Sequence, residues 1–254
     1  MEQKNTDSKV QKPISQVHTD YTPTSAPRRL VDLTQEPKTN DSYAAFRAPE
    51  DRDKPLIPLE LVQKCSRFCM INVWRSVSDE GPIQQYPLAV CAADSIKYPQ
   101  DFVVFEIQYK DRIGENWFVR EDTSEDSVAC DGDKSKESNS YHHKWYYYPH
   151  MKKTEALIFK QWDSEGRIQQ HVAKSVLNKL KQNTNSSEQQ NDKMISAVEK
   201  TTTANVEDDA KDVVPDKSDF CVHSAFEDPG TDTSEDSIIP ARESIEVRCF
   251  ALFE

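Results

Sequence analysis

Apolar and polar positions change rhythm several times along the chain, and each change predicts an element. Residues 70–74 are a β-prone run that ends at Arg75, and residues 86–93 are a second apolar run that follows a Gly81-Pro82 turn. FVVFEIQY at 102–109 reads as a strand, and residues 117–120 continue it as a hairpin. Residues 145–148 and 156–163 are also strand-like. The clearest alternation closes the chain: Ile245, Val247, Cys249, Ala251 and Phe253 share one face, and Ser244, Glu246, Arg248, Phe250 and Leu252 share the other. Helical spacing is rarer. Leu59, Leu61, Val62, Cys65 and Phe68 suit one face of a short helix, and residues 30–35 form a short amphipathic segment after a proline-bearing loop at 22–29.

Two stretches break this picture. Residues 121–140 hold seven acids against two lysines and no aromatic, and residues 174–218 are rich in Lys, Asn, Gln, Ser, Thr and Asp, also without an aromatic. Both read as disordered low-complexity insertions. Residues 1–16 read as a flexible tail, and 17–254 as one domain. Short strands with few helices point to a mainly β fold, a double-stranded β-helix of the jelly-roll or cupin-like kind. With only 5 Gly, its turns must rely on Pro, Asn and Asp.

Charge and cysteine usage narrow the function classes. A net charge of −12 without a local basic cluster argues against a nucleic-acid or anionic-membrane surface. No two of the 6 cysteines are spaced Cys-x-x-Cys, which argues against a zinc ribbon or thioredoxin-like site. The first residues lack a signal-peptide core, and no stretch nears the roughly 18 apolar residues of a membrane span. The expectation is a cytoplasmic protein with reduced thiols and a small-molecule substrate.

The chemistry is carried by three features in order. His18 and Asp20 lie two apart in VHTDY, so on an extended strand they share a face. His223 stands at the head of the last block, and Arg242-x-Ser244 opens the final strand. Two imidazoles and a carboxylate form the facial triad of non-haem Fe(II) sites, which leaves positions open for a 2-oxo acid and O2. A guanidinium with a neighbouring hydroxyl can grip the far carboxylate of 2-oxoglutarate. Asn72 is a candidate for lining that pocket. His143 and Asp163 are rival ligands, and Arg248, on the same face as Arg242, is a rival carboxylate binder. The His-x-Asp step stands near the start of the chain, with little preceding chain for its strand to pair with.

The stretches VHTDYT, INVWRSV, PLAVCAADS, HKWYYYPHM, EALIFKQWDS, HSAFEDP and PARESIEVR, spread over residues 17–248, resemble the fungal CmcJ/AsaB-like hydroxylase/desaturase family. That family includes the gibberellin desaturase and the cephamycin methoxylase component, and this chain resembles an N-terminally short member. The resemblance implies an Fe(II)/2-oxoglutarate-dependent oxygenase that hydroxylates or desaturates a small metabolite in fungal secondary metabolism. It also implies metal roles for His18, Asp20 and His223 and a co-substrate role for Arg242. The chain departs from the family at Ala92, where members carry Asp after the Cys, and in its two insertions. A truncated, non-catalytic relative kept as a binding module is therefore the alternative reading.

Overall fold

The computed structural model describes residues 12–37, 47–108, 113–120, 143–182, 219–229, 231 and 239–254. In chain order its elements are β1 (His18–Thr19), α1 (Ser25–Leu33), α2 (Leu59–Lys64), β2 (Arg67–Ser76), β3 (Leu88–Cys91), β4 (Phe102–Gln108), β5 (Ile113–Val119), β6 (Trp145–Tyr147), β7 (Leu157–Asp163), α3 (Gln170–Gln182), β8 (His223–Ala225) and β9 (Ser244–Phe253). The fold is mainly β with few helices, as the alternation predicts. All strand pairings are antiparallel, in a six-stranded sheet ordered β4-β5-β1-β8-β3-β6 and a three-stranded sheet ordered β7-β2-β9.

The period-two reading of the last strand fixes how the smaller sheet is oriented. β2 and β9 pair over ten rungs, with Asn72 opposite Arg248, Trp74 opposite Glu246 and Ser76 opposite Ser244. On β2 the even positions Met70, Asn72, Trp74 and Ser76 are all buried, so the face with Ser244, Glu246 and Arg248 turns inward. On the opposite face Ile158, Ile245 and Val247 are exposed.

Three helices close one end of the core. On α3, Val172, Ala173, Val176, Leu177 and Leu180 form a buried stripe that packs with Leu30, Leu33 and Val62 of α1 and α2 against Phe68, Met70 and Trp162. The second expected insertion therefore starts later than residue 174, because the Lys- and Gln-rich residues up to Gln182 are the wet face of α3. The rest of that insertion, and 121–140, lie outside the described residues. α1 also corrects the loop expected at 22–29. Pro27 falls in its first turn, where a backbone N–H has no helical acceptor, so the helix loses nothing by its absence.

Two further expectations change at the start of the chain. β1 is two residues long, yet it pairs on both sides: His18 stands opposite Phe118 of β5 and opposite His223 of β8. Nor is the stretch before it free at residues 14–16. Ala225 N donates to Ile14 O at 3.0 Å, and Ser224 Oγ donates to Ser15 O at 2.9 Å. Chain from more than 90 residues away supplies these partners. Among the described residues, no helix is long and apolar enough to cross a membrane.

Candidate metal centre

The two sheets face each other across Asp20. His18 and His223 are a cross-strand pair, their rings 4.4 Å apart, and Asp20 follows His18 on the same side. Each of the three offers one ligand atom, and these atoms lie within 4.8 Å of one another, with all three residues buried. This is the trio expected from the sequence. His143 and Asp163, the rivals, lie elsewhere. His143 Nε2 is 3.2 Å from Asp101 Oδ2, and Asp163 accepts from both Nε and Nη2 of Arg67 and from Lys160.

Both imidazoles have their tautomer set by backbone carbonyls. A carbonyl can only accept, so Nδ1 of His18 carries the proton it donates to Gln16 O at 2.7 Å, and Nδ1 of His223 donates to Cys221 O at 3.1 Å. Nε2 of each ring is left for other partners, and His18 Nε2 lies 3.8 Å from Asp20 Oδ1. Burial, with Asp20 opposing it, lowers the His223 pKa to about 4, so the ring is neutral near pH 7. Burial alone would raise the Asp20 carboxyl. Arg248, His223, His18 and the Asn72 hydrogen bond outweigh it and hold the group below its ordinary value. Two imidazoles whose Nε2 atoms are not taken by the backbone and one ionised carboxylate form a donor set that suits a divalent transition metal.

The smaller sheet holds this trio in place. Asn72 Nδ2 donates to Asp20 Oδ2 at 3.0 Å and to Glu246 Oε1 at 2.7 Å, while its Oδ1 is buried without a hydrogen-bond partner among the described residues. Arg248 Nη2 reaches Asp20 Oδ1 at 2.8 Å, and its guanidinium lies over the Tyr21 ring at 5.6 Å. Gln161 was not singled out in the sequence. Trp162 pairs with Met70 and Lys160 with Ile71, so Gln161 is the extra residue of a β-bulge in β7. Gln161 keeps the phase of Leu157 and Phe159, and the bulge brings the next residue, Trp162, inward as well. Gln161 is fully buried, and its Oε1 accepts from Asp20 N at 3.4 Å. Its Nε2 sits 3.5 Å from His223 Nδ1. Both atoms carry protons when His223 donates to Cys221, so this is a packing contact.

Arg242 lies further along the same face. Its Nη1 donates to Tyr86 O at 2.5 Å and its guanidinium stacks on Trp74 at 5.6 Å, in a crevice also lined by Ser76, Ile83 and Glu243. Trp74 is two residues from Asn72 on one face of β2, about 7 Å by strand geometry. The wall between is apolar: Trp74, Leu88 and Phe159 pack together, and Phe159 meets the His223 ring at 5.1 Å. Ser244 is half-buried opposite Ser76, itself a lining residue of that crevice. Of the expected co-substrate residues, Arg242 and Ser244 thus stand apart from the trio, and Asn72 is engaged with Asp20.

Residues 1–193 match the family described as YDMC: Oxidoreductase/YMDC permease-like domain. Aspirochlorine biosynthesis protein N of Aspergillus oryzae (strain ATCC 42149 / RIB 40) is 23% identical over 188 residues, which span 74% of this chain and 49% of that protein. This chain thus spans about half the length of that relative. Two solved structures of the iron and alpha-ketoglutarate-dependent endoperoxidase NvfI, one of them in a different conformation, are each 22% identical to it. The first covers 98% of this chain and 57% of its own at a TM-score of 0.47, the second 96% and 53% at 0.46, too low to establish a shared fold.

Proposed function

The chain belongs to the Oxidoreductase/YMDC permease-like domain family, and from that premise we propose that it is an Fe(II)- and 2-oxoglutarate-dependent oxidoreductase of the hydroxylase/desaturase kind, on a double-stranded β-helix scaffold. The observation that carries this reading is the buried convergence of His18, Asp20 and His223 with both Nε2 atoms free. Similarity to a protein named for aspirochlorine biosynthesis supports a substrate among the small metabolites of fungal secondary metabolism.

His18, Asp20 and His223 would hold the metal, which with 2-oxoglutarate and O2 supplies the oxidising power to take hydrogen from an unactivated carbon. The chain's own residues do the rest. Backbone carbonyls of Gln16 and Cys221 hold the two imidazoles in the metal-binding tautomer. Asn72 and Gln161 fix the Asp20 carboxylate and backbone. Trp74, Leu88 and Phe159 keep water from the space between the trio and Arg242, whose guanidinium and Ser244 hydroxyl suit a distal carboxylate.

Anaerobic titration of the purified chain with Fe(II) and 2-oxoglutarate, read at the weak visible charge-transfer band, tests the proposal. A band in wild type that His223→Ala abolishes is expected. No band in wild type, or an undiminished band in the variant, contradicts it. Succinate release under air then separates an active chain from one that only binds.

A further inference from the structure

Arg248 is in an unusual position for a residue beside a cation site. Its Nη2 takes Asp20 Oδ1, the oxygen that also lies 3.8 Å from His18 Nε2, while Asn72 takes Oδ2. The carboxylate oxygen that faces the imidazoles is thus already paired with a positive charge. A metal on that oxygen would lie within about 5 Å of the guanidinium, an N···O contact plus a metal–oxygen bond of about 2.1 Å. That is inside the screening length of about 8 Å at physiological salt, so the two cations repel strongly.

The rest of the geometry says what Arg248 does about this. Its side chain is 47% exposed, against 5% for Asp20, so it can turn outward while Asp20 cannot. It also has partners to keep when it leaves Asp20: Nε is 3.7 Å from Glu246 Oε1, and the guanidinium already lies over the Tyr21 ring at 5.6 Å. Glu246 is kept by its bond from Asn72 whichever way Arg248 points. Without a cation, a buried carboxylate would be costly, and Arg248 offsets that cost.

We propose that Arg248 is a resident counter-ion for Asp20 that a divalent metal displaces, the guanidinium keeping Glu246 and Tyr21 as partners and presenting its charge at the mouth of the site to an anionic ligand. The inference rests on the metal reading of the trio. It separates two roles of opposite sign. A positioning arginine strengthens metal binding, whereas a displaced counter-ion weakens it.

The test is calorimetric titration with Co(II) of wild type, Arg248→Gln, Arg248→Lys and His223→Ala, with thermal melting of each metal-free and metal-loaded chain. Arg248→Gln is expected to bind Co(II) at least tenfold more tightly than wild type, to melt at a lower temperature without metal, and to gain a larger rise in melting temperature from Co(II). Arg248→Lys, which keeps the charge with fewer contacts, is expected to fall between and keeps the test valid if the Gln variant folds poorly without metal. Equal or weaker Co(II) binding by both variants overturns the inference while leaving the metal reading intact. Absence of wild-type Co(II) binding that His223→Ala removes overturns both.

Discussion

The two sheets divide the work of the site unequally. The larger sheet carries all three candidate ligands on or beside two short strands, β1 and β8, of two and three residues. The smaller sheet carries no ligand, yet β2 and β9 run ten residues each and supply Asn72, Glu246 and Arg248, with Gln161 from β7. Short strands allow His18 and His223 to meet with little backbone around them, but they cannot hold a carboxylate rigidly by themselves. Stiffness is supplied from across the gap, by polar side chains anchored in long ladders. Ligand geometry and ligand rigidity thus come from different parts of the chain.

Asp20→Ala or His223→Ala should abolish divalent-metal binding in calorimetry while far-ultraviolet circular dichroism stays native, since the long ladders are untouched. Trp162→Ala strikes the other side. Trp162 is fully buried and stacks on Phe68 at 4.8 Å, so its loss should lower unfolding free energy by about 3–5 kcal/mol in a denaturant titration. Under conditions where that variant remains folded, its metal affinity should stay close to wild type.

Acid should act through His223. The fold holds its pKa at about 4 against an ordinary 6.5, so between those values the unfolded chain takes up a proton that the folded chain refuses. Metal-free stability is complete above pH 6.5, falls as the pH drops toward 4 by on the order of 3 kcal/mol at about 1.36 kcal/mol per pH unit, and loses no more to this group below it. Thermal melts of wild type and His223→Gln across pH 4 to 7 check this, with a flatter profile expected for the variant. Gln161→Ala should weaken metal binding by about 10- to 100-fold, because the Asp20 N–H and the His223 ring lose their common neighbour. Ile158→Thr, on the exposed outer face, should change stability by less than about 0.5 kcal/mol and leave metal affinity alone.

How far the sequence reveals this depends on the kind of signal. Alternation in the last strand assigns Ser244, Glu246 and Arg248 to one face, and the pairing with β2 turns that face inward. The His-x-Asp spacing implies a shared side, and the two side chains do meet. Reach is a different matter. Alternation puts Arg242 and Arg248 on comparable footing, and only the folded chain shows that Arg248 meets Asp20 while Arg242 stacks on Trp74. Gln161 shares the phase of Leu157 and Phe159, but that spacing does not show that its amide meets the Asp20 backbone and the His223 ring. α1 is masked by Pro27, read as a loop former although a helix tolerates it in its first turn. The anchoring of β1 depends on partners near residues 118 and 223, which no local pattern reveals.

X-ray absorption at the cobalt edge of the Co(II)-loaded chain tests the central claim most directly. The account predicts a mixed nitrogen and oxygen shell at about 2.0–2.2 Å with the outer scattering of two imidazoles, reduced to one in His223→Ala. An oxygen-only shell, or an unchanged imidazole count in that variant, would contradict it.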